Sequence, residues 1–332
     1  MHCVPPAAEL VPQLGALLTA LFALLGAGGS AGENAYAMRA IMRVTVVVGE
    51  GMAPYASTCI ESLKSILARV CENPTNPAFN HYLFETVAAL VRYICAATPA
   101  AVDAFEQLLF PPFQTVLRMD IAEFTPYVFQ ILSQLLECRQ AVSAAYASMF
   151  PPLLAPTMWE RPGNVPPLTR LLVAYVAHGG RELVLPKLES VLGVFQKLLV
   201  RGATDPHACR LLSAVWCAFD LAELERFVTP IFDLCIRRAS TYKKVGTSLV
   251  GTWSVFVARY GAVEASAVAA RRERVGDETR QLQQPLQLMR RFHSHSQQRW
   301  ETAQALGVAE RAIFLHGHGT GSEPQVLNRR SI

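Results

Sequence analysis

The sequence predicts an all-α fold of stacked antiparallel helix pairs. Three observations carry this. Apolar residues recur at helical spacing almost everywhere up to Tyr260, no long stretch keeps the two-residue alternation of a strand, and helix pairs begin at intervals of about forty residues. Composition agrees: of 332 residues, 52% are hydrophobic and only 17% charged, the balance of a body that buries a long continuous core. Residues 1–260 carry 20 basic against 19 acidic side chains, and the whole chain has a net charge of +4. That is too little for the basic stripe of a nucleic-acid binder.

Taken in chain order, the first feature is the uncharged stretch from Leu10 to Gly32. Its continuous apolar part is shorter than the about 20 residues a membrane span needs, and Gly26 to Gly32 closes it with loop chemistry. It reads as a buried helix, with a membrane span or signal segment as the alternative. The β-branched run Val44–Val48 lies inside a helical pattern and is expected to be helical, tertiary context overriding propensity. After Pro54, the residues Cys59, Leu63, Ile66, Leu67 and Val70 share one helix face. After Pro77, the same holds for Phe79, Tyr82, Leu83, Val87, Leu90, Val91 and Ile94, and further on for Ile121, Phe124, Val128, Ile131, Leu132 and Leu135.

The pairs Asn76-Pro77, Thr98-Pro99 and Asp205-Pro206 each set a potential capping side chain before a proline and are expected to start helices. Pro111-Pro112 and Pro151-Pro152 fall within helical patterns and are expected to split them. Helix pairs therefore begin near Asn34, Ala78, Ile121, Asn164, Asp205 and Thr241. This spacing is close to that of HEAT repeats and predicts a HEAT-repeat α-solenoid. If each helix hides five or six large side chains at about 2 kcal/mol each, stacking supplies roughly 10 kcal/mol of gross stabilisation per helix. One pair cannot bury its stripe alone, so neighbouring pairs must cover it.

No enzyme constellation is legible. The eight cysteines form no C-x-x-C pair and read as free, mostly buried thiols. His81 and His178 read as structural histidines. The pairs His293/His295 and His316/His318 lack further ligands, and Gly317–Gly321 lacks the strand, lysine and helix of a phosphate loop. No catalytic residue, metal or cofactor is expected. Arg271-Arg272 and Arg290-Arg291 read as parts of a solvated polar segment. The cluster Trp159-Glu-Arg-Pro-Gly-Asn164 sits at an inter-helix turn: Trp159 is expected to anchor it, and Glu160, Arg161 and Asn164 are candidates to face a partner.

Several blocks, in one order, resemble the CAS-type exportins of the importin-β superfamily. They include Glu33-Asn-Ala-Tyr-Ala-Met-Arg-Ala-Ile-Met-Arg43, Asn73-Pro-Thr-Asn-Pro-Ala-Phe-Asn-His-Tyr-Leu-Phe-Glu85, Glu123-Phe-Thr-Pro-Tyr-Val-Phe-Gln130 and Trp159-Glu-Arg-Pro-Gly-Asn-Val-Pro166. The resemblance covers about residues 5–261 and divides the chain into a solenoid, 1–261, and a divergent, weakly helical or disordered tail, 262–332. It implies a C-terminal HEAT-repeat portion of a receptor that shuttles between nucleus and cytoplasm, with the stretch from Leu10 to Gly32 an ordinary solenoid helix and no membrane insertion. Such a receptor carries importin-α as cargo together with Ran-GTP, its main Ran-binding surface lying in repeats before residue 1. The rivals are a HEAT scaffold unconnected with transport and a membrane-attached protein using residues 10–32.

Overall fold

The computed structural model describes residues 7–26, 32–242 and 245–272, and all descriptions below refer to these. The chain divides into two units, Met1–Arg259 and Tyr260–Ile332; of the second, only residues 260–272 are described. Among the described residues there is no strand.

A short helix α1 (Ala7–Leu10) and α2 (Leu14–Gly26) lead into five helix pairs. These are α3 (Ala35–Val48) with α4 (Ala56–Glu72), α5 (Pro77–Ala97) with α6 (Ala101–Arg118), and α7 (Thr125–Glu137) with α8 (Ala144–Leu153). Then come α9 (Val165–Leu183) with α10 (Leu188–Leu198) and α11 (Asp205–Ala218) with α12 (Leu221–Thr241), followed by α13 (Gly246–Arg272). The first helix of each pair packs on the first helix of the next, so α3, α5, α7, α9 and α11 form one layer. In the other layer α2 touches α4, and α4 touches α6. This is the stacked solenoid that the forty-residue spacing predicts.

Burial follows the apolar stripes. Phe79, Leu83, Val87, Leu90, Val91 and Ile94 of α5 are buried, as are Cys59, Leu63, Ile66, Leu67 and Val70 of α4. The α2 residues Leu14, Leu18, Phe22 and Leu25 are buried on one face, and no described helix is long and apolar enough to cross a membrane. The β-branched run lies within α3, where the buried Thr45 hydroxyl donates to the Ile41 carbonyl at 2.9 Å. A polar atom in the core is thereby satisfied within its own helix. Cys59, Cys71, Cys95, Cys209 and Cys235 are free and buried, and burial pushes the Cys59, Cys71 and Cys235 thiols up to about 12.

The punctuation differs from expectation in five places. Asn76 does cap α5, its Oδ1 accepting from the Phe79 N–H at 3.1 Å. Thr98 does not cap; it ends α5, and α6 starts three residues later at Ala101 without a side-chain cap. Asp205 is already inside α11, and its carboxylate is taken by Arg238 instead of the helix N-terminus. Pro111 and Pro112 do not split α6, which runs unbroken to Arg118. Pro111 lies on the exposed side of α6, so the carbonyl one turn back that loses its N–H partner can be met by water. Pro151 and Pro152 fall in the last turn of α8, which ends at Leu153, so they terminate that helix and do not divide it. Thr241 closes α12, and the last helix starts at Gly246.

Gly180 interrupts α9 with φ +47° and ψ −142°. Only glycine takes that backbone freely, and no atom lies within 4 Å of where a Cβ would stand. Gly180→Ala is therefore expected to lower stability by about 1–3 kcal/mol through backbone strain alone, read as a shifted denaturation midpoint.

Candidate partner-binding surface

The α8–α9 connection is built from two short 3-10 turns, Pro156–Trp159 and Pro162–Asn164. A proline opens each, because its fixed φ suits the first position and no N–H is lost. Trp159 is buried, and its indole Nε1–H donates to the Leu153 carbonyl at 2.8 Å, locking the turn against the end of α8. Between the two turns Glu160 and Arg161 are pushed outward and remain exposed.

Both engage neighbouring repeats. Arg161 donates Nη1–H and Nη2–H to the two carboxylate oxygens of Asp120, each at 2.5 Å. This fork holds the Asp120 carboxyl below the usual carboxylate range, chiefly through the hydrogen bonds. Asp120 sits just past α6 with φ +51°. There the Ile121 N–H reaches back to the Val116 carbonyl and the Asp120 N–H to that of Leu117, a Schellman closure. On the other side Glu160 Oε1 lies 3.6 Å from Lys197 Nζ of α10, which also donates to the Pro156 carbonyl at 2.5 Å.

Asn164 is not part of this exposed group. It is 5% exposed, lodged where the turn enters α9, so the outward set predicted as Glu160, Arg161 and Asn164 reduces to the first two. The fork to Asp120 and the contact with Lys197 were missed from sequence. Their signal was a partner of opposite charge about one repeat away, 41 residues for Asp120 and Arg161.

The same device recurs along the stack. Arg139 donates to Glu106 and Asp103, Arg170 to Glu137, and Arg181 to Asp220 and Glu223. Thr75 donates to Glu33 across the first two repeats at 2.7 Å. Asp103, Glu137, Arg181, Asp220 and Thr75 are exposed, whereas Glu106 beneath Arg139 and Asp205 beneath Arg238 are buried. These groups tie turn to turn; none is arranged as a nucleophile with a base.

No group of three or more His, Cys, Asp or Glu that could hold a metal ion occurs among the described residues. His81 Nδ1 lies 2.8 Å from the Tyr127 hydroxyl, and burial pushes the His178 imidazole below its usual range. His293, His295, His316, His318, the Gly317–Gly321 run and Arg290-Arg291 lie outside the described residues, as does most of the tail. The part of the tail that is described, 262–272, continues α13.

Comparison with known proteins gives a consistent picture. A family model described as "CAS/CSE protein, C-terminus" matches residues 2–275. Exportin-2 of Oreochromis niloticus is 42% identical over 265 residues, covering 77% of this chain and 27% of that protein. Exportin-2 of Drosophila melanogaster is 40% identical over 257 residues, with 76% and 26% covered. Exportin-2 of Homo sapiens is 39% identical over 265 residues, with 77% and 27% covered. The chain thus spans about a quarter of the length of these relatives. Among solved structures, the exportin Cse1 in its cargo-free, cytoplasmic state superposes with a TM-score of 0.67 at 30% identity, covering 74% of this chain and 27% of Cse1.

Proposed function

The chain belongs to the CAS/CSE family, matching its C-terminal part, and from that premise we propose that it is the cargo-gripping portion of a nuclear export receptor. The cargo is importin-α, bound in the nucleus together with Ran-GTP and released in the cytoplasm after GTP hydrolysis. The observation that carries this reading is the family match running through every helix pair of the stack. The exportin relatives support the transport role.

The mechanism is differential binding. A stack in which each pair touches only its neighbours can change its pitch by small adjustments at many seams, so wrapping a cargo strains it a little everywhere. Cargo is held when its contacts outweigh that strain, and Ran-GTP in the complete receptor tips the balance between the two states. Glu160 and Arg161 contribute at the turn edge, where inter-helix segments present charged side chains to a partner.

The test is capture of importin-α by this chain with Ran and a GTP analogue. Glu160→Arg with Arg161→Glu should weaken capture about tenfold while the melting temperature stays essentially unchanged, because exposed ion pairs stabilise little. Undiminished capture would remove the turn from the interface. No capture of importin-α by the unaltered chain would instead favour a helical scaffold outside transport.

A further inference from the structure

A second surface lies on the layer of first helices, away from the α8–α9 turn, and owes nothing to the transport reading. On α3, Tyr36, Arg39, Arg43 and Val46 recur at helical spacing along one outward stripe. Tyr36 is 83% exposed and Val46 50%, the two most exposed large apolar residues of the first repeat. Arg39 and Arg43 are exposed between them. The stripe continues onto α5. Arg39 Cζ lies 5.6 Å from the Tyr82 ring centroid, and Arg92 Cζ lies 5.8 Å from that of Tyr93. Tyr93 in turn adjoins the end of α3, its ring 3.7 Å from where a Cβ on Gly49 would stand.

The charges here are not engaged. No ion pair among the described residues involves Arg39, Arg43 or Arg92, whereas Arg139, Arg161, Arg170, Arg181 and Arg238 all hold carboxylates. The acids nearest along the chain are Glu33, which Arg69 and Thr75 engage, the exposed Glu50 in the turn after α3 and the half-buried Glu85 of α5, too few to neutralise the stripe. Two of the three guanidiniums rest on tyrosine faces, which limits the freedom they lose on binding. Tyrosine and arginine together are also the residue types that dominate binding hot spots.

We propose that this stripe docks an acidic protein segment carrying an apolar side chain. Charge complementarity selects the carboxylates, and Tyr36 and Val46 receive the apolar group. Arg39 and Arg43 are one helical turn apart, about 6 Å. That matches carboxylates two residues apart on an extended chain, about 6.8 Å.

The probe is a short fluorescein-labelled peptide of repeated Asp-Leu-Glu, followed by anisotropy against the full chain. It should bind, and Arg39→Glu with Arg43→Glu should weaken binding by about tenfold or more, with Tyr36→Ala weakening it severalfold. All three positions are exposed, so circular dichroism and melting should match the unaltered chain. A repeated Asn-Leu-Gln peptide should bind far more weakly. Equal binding by the Arg39/Arg43 variant, or by the neutral peptide, overturns the proposal. So does an equal loss from the control Arg118→Glu with Arg201→Glu, which would mark a general charge effect. Capture of phosphatidylserine vesicles through Arg39 and Arg43, with no peptide binding, overturns it in favour of a lipid surface.

Discussion

Replacing Arg238 with methionine destabilises the α11–α12 pair by about 3–5 kcal/mol. Asp205 is 2% exposed, and its two carboxylate oxygens accept from Arg238 Nε–H at 3.0 Å and Nη2–H at 2.9 Å. Removing the guanidinium leaves a desolvated charge without its partner, which is the costly event; the attraction itself is largely offset by the desolvation of both groups. A double change, Arg238→Met with Asp205→Leu, should therefore recover most of the loss. Urea denaturation of the two single variants and the double variant makes the cycle measurable. A cost below about 1 kcal/mol for Arg238→Met, or no recovery in the double variant, would mean that the pair does not govern this seam.

Replacing Phe84 with alanine costs a similar amount, about 3–5 kcal/mol, for an apolar reason. Phe84 is fully buried on α5, with ring centroids 4.8 Å from Phe124, 5.3 Å from Tyr127 and 6.4 Å from Phe113. It thus joins two consecutive helix pairs, and truncation leaves a void that neither can collapse to fill. The location of the damage is as informative as its size. Because each pair touches only its neighbours, hydrogen exchange should accelerate in α5, α6 and α7 while α11 and α12 keep their protection. Uniform loss of protection along the chain would contradict a stack of separable seams. Phe84→Leu, which keeps most of the volume, should cost less than about 1.5 kcal/mol.

The helices were legible in the sequence because burial here is one-sided. A helix that hides one stripe and wets the other writes its period into the letters, as α4 and α5 do. The continuity of α6 through Pro111 and Pro112 was not legible, since proline's local cost is fixed but the surrounding packing that outweighs it is not written locally. Asp205 looked like a cap for the same reason. Its position before Pro206 fits one, but its partner Arg238 is 33 residues away. Of the candidate surface, Trp159 read correctly as the anchor of its turn, being large and punctuated by proline on both sides. The burial of Asn164 depends on how the turn rolls into α9, which no spacing records.

The arginine–carboxylate ties have a mechanical consequence. Most of them sit at the surface and join neighbouring turns, while the apolar seams lie inside. Dissolved salt screens the former over about 8 Å at physiological strength and leaves the latter almost untouched. Contour length is then set by the greasy seams and compliance by the electrolyte. The stack behaves as a spring whose stiffness softens with ionic strength before any helix is lost.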